Sequence, residues 1–330
     1  MSALARTYRE RSGNGKSYAV AAAVVAALLT STACGAGTAD RPDAARPSDR
    51  PNTATPAEPG SAAPAEAAPD DEPTAKAAAA AVFTNRVATF NVCNPCRSPL
   101  KPWTLSRHIK RITNEIALYR PQVIALQEIC VRETKAVVKR LKAKGYKYHV
   151  AHGSVHTSSL RCHGSGNAYG NAILSAAPLT GKVNKRYTDG GSENRGYVSA
   201  RTTIAGKKVR VFATHLAEKD QGAKRRQQVQ ELVIAVDKYP NAIVLGDFNA
   251  APTYSQLDPM WARFRDADPN CTDLRSGNPC KATMGKDSSK ERKKFDYIFL
   301  RVDGRYSASG VGVHPNFSDH DLVHADLQVR

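Results

Sequence analysis

Side chains that can bind metal ions or transfer protons follow six apolar, strand-like segments of this sequence. The six segments end at Asn91, at Glu128, at His215, at Asp247 and Asn249, at Asp296, and at Asp319 and His320. Because the ends of neighbouring strands converge in space, we expect these side chains to share one cleft. Taken singly each has an ordinary explanation, since Asn and Asp form turns and a lone histidine is usually a hydrogen-bonded core residue. Their recurrence at six strand ends favours an active site.

The elements that must position these residues are predicted from hydrophobic periodicity. The predicted strands are Arg86–Val92, Val123–Gln127, Tyr146–Ala151, Asn171–Ser175, Tyr197–Ile204, Lys208–Thr214, Ala242–Leu245, Phe295–Arg301 and Asp321–Gln328. The predicted helices are Leu105–Leu118, Glu133–Lys144 and Gln221–Tyr239. Some strands alternate apolar and polar residues and others are continuously apolar, which indicates sheets packed on each other and covered by helices.

The motifs at the strand ends resemble those of a known family. In chain order they read ThrPheAsnVal, GlnGlu, GlyAsnAlaIleLeuSer, ThrHisLeu, GlyAspPheAsn, AspTyrIle and SerAspHis. This ordered set resembles the endonuclease/exonuclease/phosphatase superfamily, which includes deoxyribonuclease I-like enzymes and sphingomyelinases, over about residues 86–329. The resemblance implies an α/β fold, a four-layer sandwich of two packed mixed β-sheets flanked by helices.

The resemblance also implies a metal site and an acid–base pair. Glu128 would be the main carboxylate ligand of Mg²⁺ or Mn²⁺, assisted by Asn91 and Asp319, and hard divalent cations prefer such oxygen ligands. His320 would act as general base on the attacking water, while Asp296 fixes its tautomer and orientation.

The remaining roles concern the nucleophile and the phosphate. Asp247 and Asn249 would orient the nucleophile and bind the scissile phosphate, and His215 would contact the phosphate and help to protonate the leaving oxygen. Arg195 resembles a phosphate-binding arginine and Asn171 a polar phosphate contact of some members. Together with the metal, these donors would offset the charge that builds on the phosphoryl oxygens.

Charge selects among the substrates that this chemistry allows. The chain carries a net charge of +18, and residues 82–330, with 40 Lys and Arg against 21 Asp and Glu, carry +19. Basic clusters occur at Lys135–Lys147, Lys182–Arg186, Lys207–Arg210, Lys224–Arg226 and Lys290–Lys294. Many of these charges are expected to be ordinary solvated surface. The excess nevertheless favours a long polyanion, and Lys224–Arg226, just after the ThrHisLeu motif, is placed to follow a nucleic acid backbone.

The first eighty residues indicate export and a tether. Basic residues precede the apolar run Tyr18–Leu29, which is too short to span a membrane, so residues 1–33 are predicted to be a signal peptide. Cys34 follows, and two alternatives stay open: an acylated lipoprotein anchored at Cys34, or a freely secreted protein. Residues 34–81, rich in Pro and Ala, are predicted to be a disordered linker before a catalytic domain at 82–330.

Cysteine parity agrees with export. Without Cys34, six cysteines remain in the catalytic domain. An even number in an exported domain indicates disulfides, and the favoured pairing is Cys93–Cys96, Cys130–Cys162 and Cys271–Cys280. A zinc site at Cys93 and Cys96 is the weaker alternative, because no second ligand pair completes it.

These features together predict a monomeric, metal-dependent phosphodiesterase, secreted or held at the cell surface, that cleaves nucleic acid. DNA cut with low sequence specificity is the favoured substrate. One alternative is a sphingomyelinase-like or other phosphoesterase, although the apolar hairpin that sphingomyelinase-like members typically insert into lipid is missing from the sequence. An alternative of another class is a non-catalytic surface protein that binds polyanions.

Overall fold

The computed structural model describes residues 81–93, 104–156, 162, 167–271, 280–285 and 292–330. Every described residue belongs to one compact unit, Glu72–Arg330. The predicted signal peptide, Cys34 and the linker up to residue 80 lie outside the described residues. No helix within the described ranges is long and apolar enough to cross a membrane.

Twelve strands and four α-helices make up the described part of the chain. The strands are β1 Phe83–Asn91, β2 Pro121–Cys130, β3 His149–His156, β4 Tyr169–Ser175, β5 Thr180–Arg186, β6 Gly196–Ile204, β7 Lys207–His215, β8 Ala242–Asp247, β9 Phe264–Asp266, β10 Asp296–Arg301, β11 Tyr306–His314 and β12 Leu322–Val329. The helices are α1 Leu105–Tyr119, α2 Val131–Ala143, α3 Gly222–Val236 and α4 Asp258–Trp261.

The strands form two six-stranded mixed sheets. The first sheet has the order β11-β12-β1-β2-β4-β3 and the second β5-β6-β7-β8-β10-β9. Each contains one parallel pair, β1 with β2 and β7 with β8, and the other named pairs are antiparallel. A parallel pair needs a crossover connection, and α1 and α3 supply the two crossovers. Three of the motif residues end strands of these parallel pairs: Asn91 ends β1, His215 ends β7 and Asp247 ends β8.

Side-chain alternation builds the layers. In β2, Val123 and Ala125 pack in the core between the two sheets, whereas Ile124 and Leu126 pack in the core that includes α1 and α2 residues. In β8, Ile243 and Leu245 belong to the core between the sheets. Ala242 and Val244, which alternate with them along β8, pack in a third core with residues of α3 and α4. Strands buried on both faces read as continuous apolar runs, and the predicted four-layer sandwich is confirmed.

All nine predicted strands and all three predicted helices occur, with shifted ends, but three strands and the four-residue helix α4 were not predicted. Strand β5 is exposed along its whole length, so its sequence carries no hydrophobic alternation to detect. Strand β9 has only three residues, and β11 is built largely from small residues at the edge of its sheet. Edge strands lack the two-sided burial that produces a readable pattern.

Two of the predicted disulfides are present. Cys130 pairs with Cys162, and Cys271 with Cys280. The third prediction, Cys93 with Cys96, lies outside the described residues because residue 96 is not among them. The Cys130–Cys162 bridge lies in a small buried cluster with Val155, so it ties β2 to the segment between β3 and β4.

The two bridges are expected to stabilise the protein unequally. They close loops with sequence separations of 32 and 9 residues. Chain entropy then assigns about 3.7 kcal/mol to the longer loop and about 2.6 kcal/mol to the shorter. We expect the double variant Cys130→Ala/Cys162→Ala to lose more free energy of unfolding, measured in urea, than Cys271→Ala/Cys280→Ala. An equal or smaller loss would contradict the entropic explanation.

A half-buried histidine, His152, is expected to make folding stability depend on pH. Burial lowers the pKa of His152 to about 4, and its Nε2, 3.1 Å from Ile129 O, donates a hydrogen bond that only partly opposes that shift. As the pH falls, His152 therefore binds a proton in the unfolded chain before it does so in the folded chain. The contribution of neutral His152 to the free energy of unfolding is complete above pH 6.5 and is lost as the pH falls towards 4. Between pH 7 and pH 4.5, wild type should lose about 2 kcal/mol more than His152→Gln in urea unfolding. Val150→Gln, on the same strand, should keep the wild-type dependence.

Candidate active site

The register of the second sheet places three of the predicted residues side by side. Asp247 ends β8 and pairs across the strands with His215 of β7 on one side and Asp296 of β10 on the other. All three are buried. In the first sheet Asn91, the last residue of β1, pairs with Gln127. The polar residues at the ends of these strands therefore lie close together, although they come from two different sheets.

Asp247 is the centre of this cluster. Its Oδ2 accepts a hydrogen bond from Asn91 Nδ2 at 3.0 Å, which joins the two sheets, and it lies 3.2 Å from His215 Nε2 and 3.6 Å from His320 Nε2. Its Oδ1 accepts the backbone N–H of Asn249 at 2.8 Å. Asn249 has φ +47°, a left-handed conformation that costs energy outside glycine. The carboxylate is therefore fixed by four neighbours.

His320 is held by a second carboxylate. Asp296 Oδ2 lies 2.9 Å from His320 Nδ1, and the Thr283 hydroxyl donates to the same oxygen at 2.7 Å. The facing atoms of Asp247, Asp296 and His320 all lie within 4.8 Å of one another, close enough to hold a metal ion. Asp296 and His320 are already joined by a hydrogen bond, however, so the trio suits proton transfer better than metal binding.

The electrostatics of the trio favour a positive imidazole ring. Burial lowers the pKa of His320, but the carboxylates of Asp296 and Asp247 outweigh burial and raise the pKa to about 10. Burial raises the pKa of Asp247, yet the facing His320 and His215 outweigh it and hold the pKa well below its usual range. In the protein alone, one proton is therefore held on His320 between two carboxylates.

His215 is oriented by an arginine. Arg195, which is 2 % exposed, donates from Nη1 to Nδ1 of His215 at 3.0 Å and pairs with Glu193 at 2.8 Å. Since arginine only donates, Nδ1 must accept, and the hydrogen of His215 is placed on Nε2, towards Asp247. The structure thus brings Arg195 to the cluster through His215, with its guanidinium fixed between two partners.

Loss of that arginine should disturb catalysis more than substrate binding. We expect Arg195→Gln to lower kcat roughly 10- to 100-fold with KM changed less, because it removes the side chain that orients His215, the histidine predicted to help protonate the leaving oxygen. Arg186→Gln, an exposed arginine on β5, is the matched control and should retain wild-type kcat. Steady-state hydrolysis of bis(p-nitrophenyl) phosphate measures both constants, and an unchanged kcat in Arg195→Gln would contradict this role.

Oxygen donors gather on the other side of Asp247. Asn91 Nδ2 lies 3.4 Å from Glu128 Oε1, and its Oδ1 accepts the N–H of Cys93. The Ser318 hydroxyl lies 2.8 Å from the backbone oxygen of Asn91 and 3.3 Å from Asp319 Oδ1, which brings Asp319 to the same edge. Two carboxylates and an amide oxygen with a second lone pair form a hard-oxygen set that fits Mg²⁺ or Mn²⁺.

Glu128 is held in a strained conformation within this donor set. Its φ of +57° is left-handed, and the pairing of β2 with β4 shifts register between Leu126 and Ile129. Such a bulge re-aims a side chain, and strain of this kind persists where the surrounding structure enforces it. The distortion turns the carboxylate of Glu128 away from regular strand alternation.

Asn171 and Arg225 have structural contacts. Asn171 Nδ2 donates to Gly196 O at 3.0 Å, which anchors the start of β6 next to Arg195. In the basic cluster after the ThrHisLeu motif, Arg225 is buried and donates to the carbonyls of Ala217 and Lys219, both at 2.9 Å. It therefore supports the loop after His215, and only its sequence neighbours are open to solvent.

Sequence reasoning missed the residues that position the site. Thr283, Ser318 and Glu193 hold Asp296, Asp319 and Arg195 respectively. Ser318 lies inside the SerAspHis motif, so the motif itself could have signalled it. Thr283 lies in an irregular segment and Glu193 in a three-residue 3-10 helix. Neither sequence carries a periodic pattern, and only the tertiary contacts reveal these two residues.

Comparisons with known proteins agree with this architecture. The model of the endonuclease/exonuclease/phosphatase family matches residues 88–320. D. rerio TDP2, solved in complex with single strand DNA product, is 20% identical, with TM-score 0.56, and the match covers 74% of this chain and 98% of that one. No curated protein matches the sequence.

Two further solved structures share the fold. Sphingomyelinase C from Streptomyces griseocarneus is 18% identical with TM-score 0.51, and a mutant of beta toxin from Staphylococcus aureus, solved with bound magnesium ions, is 17% identical with TM-score 0.50. Each match covers 73% of this chain and 98% of the other. These likenesses establish a shared fold.

Proposed function

The chain belongs to the endonuclease/exonuclease/phosphatase family, and on that premise we propose that it is an exported, divalent-metal-dependent nuclease that hydrolyses DNA with little sequence preference. The hydrolysis of phosphoester bonds follows from the family and the fold. The observation that carries the catalytic part of the proposal is the buried cluster in which Asp247 faces both His215 and His320.

Each of the described side chains has a separate role in the proposed hydrolysis. His320 takes a proton from the attacking water at Nε2, while its Nδ1 hydrogen is held by Asp296. Asp247 lies beside that nitrogen and orients the water. On the opposite side His215, whose hydrogen is on Nε2, contacts the phosphate and helps to protonate the leaving oxygen, with Asn249 beside it.

A divalent cation held by Glu128, Asp319 and Asn91 would supply positive charge next to the phosphoryl oxygens and favour the neutral, proton-accepting form of His320. The oxygen donors that would hold it come from β1, β2 and the segment before β12. The acid–base residues come chiefly from the second sheet. The scissile bond would therefore be bound between the ends of the two sheets.

Charge supports nucleic acid as the substrate. Residues 82–330 carry a net charge of +19, and a polyanion gains affinity from such a surface by releasing counterions. The structure of TDP2 with a DNA product shows that this fold can accommodate a DNA strand. Export is proposed from the basic N-terminal region, the short apolar run and the paired cysteines, and the two alternatives are anchoring through an acylated Cys34 and free secretion. We propose that the protein acts as a monomer.

The proposal is tested by incubating the purified chain with supercoiled plasmid in Mg²⁺, with and without EDTA, and in parallel with sphingomyelin vesicles. We expect plasmid degradation that EDTA abolishes, that weakens steeply with added salt, and that leaves sphingomyelin intact. Hydrolysis of sphingomyelin without plasmid cleavage would replace the nuclease proposal with a lipid phosphodiesterase. Metal-independent DNA binding without turnover of any phosphodiester would favour a non-catalytic polyanion-binding protein.

A further inference from the structure

A cavity of about 550 Å³ lies on the second sheet at the end remote from the active-site cluster. Its lining includes Thr180, Arg201, Lys208, Arg210 and Tyr239. Arg210 precedes His215 by five residues on β7, which corresponds to about 16 Å along a strand. The cavity therefore shares no lining residue with the catalytic cluster.

The strand register collects three cations on one face of this sheet. Arg201 of β6 pairs directly with Arg210 of β7. Lys208 lies two residues before Arg210, and side chains two residues apart on a strand point to the same face. Helix α3 covers the neighbouring part of this face, where Phe212 packs against its residues, and it ends at Val236. Past that end the three cations line the cavity.

Arg210 is the buried member of the set. It is 4 % exposed, its Nε and Nη2 donate to the Ser199 hydroxyl at 3.2 and 2.8 Å, and its guanidinium carbon lies 4.7 Å from the centre of the Tyr239 ring. Arginine is almost never buried without a pairing anion. Within the described ranges, no carboxylate lies within ion-pair distance of Arg201, Lys208 or Arg210.

The guanidinium groups of Arg210 and Arg201 both reach the space beside Gly181. A Cβ atom built on Gly181, whose φ is +57°, would lie 3.6 Å from Arg210 Nη1 and 3.7 Å from Arg201 Nη1. Burial, and with it the charge of Arg201, lowers the pKa of Arg210. Two like charges held together in this way are destabilising unless an anion lies between them or next to them.

We propose that this cavity is a second binding site, separate from the catalytic cluster, for a phosphate group held by Arg210, Arg201 and Lys208. Guanidinium groups present paired N–H donors that match phosphate oxygens, and Lys208 adds a point charge. The Thr180 hydroxyl and the Asn241 amide, which also line the cavity, supply neutral donors. The phosphate could belong to a free phosphate compound or to the backbone of a nucleic acid, and both share this chemistry.

The test is direct binding in metal-free buffer at constant ionic strength, followed by calorimetry. One arm titrates inorganic phosphate into the purified chain, and a second titrates a twenty-nucleotide oligothymidylate. Arg210 contacts the core through Ser199, so the variant is Arg201→Gln/Lys208→Gln, in which both side chains are exposed. The matched control, Lys139→Gln/Lys142→Gln, removes two exposed charges from α2.

We expect the Arg201→Gln/Lys208→Gln variant to bind at least one of the two ligands about tenfold more weakly than wild type, as loss of two ion pairs implies, while the control binds normally. A change confined to the oligonucleotide assigns the phosphate to a nucleic acid backbone, and a change with inorganic phosphate assigns it to a free compound. Equal binding by all three proteins, or no binding of either ligand, would overturn the proposal.

The catalytic proposal is tested separately on the same preparations. The small diester bis(p-nitrophenyl) phosphate reports on the active site alone, and the Arg201→Gln/Lys208→Gln variant should hydrolyse it at the wild-type rate. If the binding test fails while hydrolysis is normal, only the proposed second site is disproved. If the binding test succeeds while the wild-type protein does not hydrolyse the diester, only the proposed catalytic function is disproved.

Discussion

Replacing His320 with alanine is expected to lower kcat for phosphodiester hydrolysis about a thousandfold, within the range that a general base contributes. The reason is geometric: Nε2 of His320 lies 3.6 Å from Asp247 Oδ2, and Nδ1 lies 2.9 Å from Asp296 Oδ2. The substitution also leaves two buried carboxylates facing each other without the intervening cation. The measurement is kcat with bis(p-nitrophenyl) phosphate and with plasmid under saturating Mg²⁺.

Two further variants separate the catalytic loss from a folding defect. Asp296→Asn keeps the shape of the site but exchanges the acceptor for an amide, so it should also lower kcat strongly with little change in KM. His149→Ala, on β3 of the other sheet, removes a histidine away from the cluster and should retain full activity. If His320→Ala has a wild-type circular dichroism spectrum and wild-type kcat, the assignment of the base is wrong.

Replacing Glu128 with glutamine is expected to raise the metal concentration needed for half-maximal activity at least roughly a hundredfold, since a contact charge pair is worth several kcal/mol in a partly buried site. Glutamine has nearly the same size and can adopt the same backbone conformation, so the change isolates the carboxylate charge. High Mg²⁺ should restore part of the activity. The measurement is the dependence of the hydrolysis rate on Mg²⁺ and, separately, on Mn²⁺.

Glu115→Gln provides the matched control, because it removes the same charge from α1, outside the donor set. It should leave the metal dependence unchanged. A Glu128→Gln variant with the wild-type metal dependence would show that other residues bind the metal. The cluster of Asp247, Asp296 and His320 is then the next position to test. Binding of Mn²⁺ followed by electron paramagnetic resonance would distinguish the two positions without reference to activity.

Most of the fold could be predicted from the sequence because buried positions are occupied chiefly by apolar residue types. A strand such as β8, buried on both faces, reads as the continuous apolar run Ala242–Leu245, and α1 shows its apolar face at helical spacing. Exposed edge strands such as β5 carry no such signal, because nothing selects apolar residues where both faces meet water.

The candidate site divides along the same line. The sequence identified which residues end the strands, since a polar residue after an apolar run marks the end of burial. It could not show that His215, Asp247 and Asp296 share one row across three strands, because register depends on many contacts between distant segments. Nor could it show that Arg195 acts through His215, or that Glu128 has a left-handed backbone.

The charge of the chain shows the same contrast. The net charge of +18 can be counted from the sequence, and it indicates a polyanionic partner whatever the fold. Which cations face solvent and which support the structure was decided by tertiary packing alone. Arg225 holds a loop, whereas Arg210 lines a cavity in which no carboxylate of the described residues pairs with it. Long-range electrostatics depends on the sum of the charges, but recognition depends on the positions that the packed sheets give them.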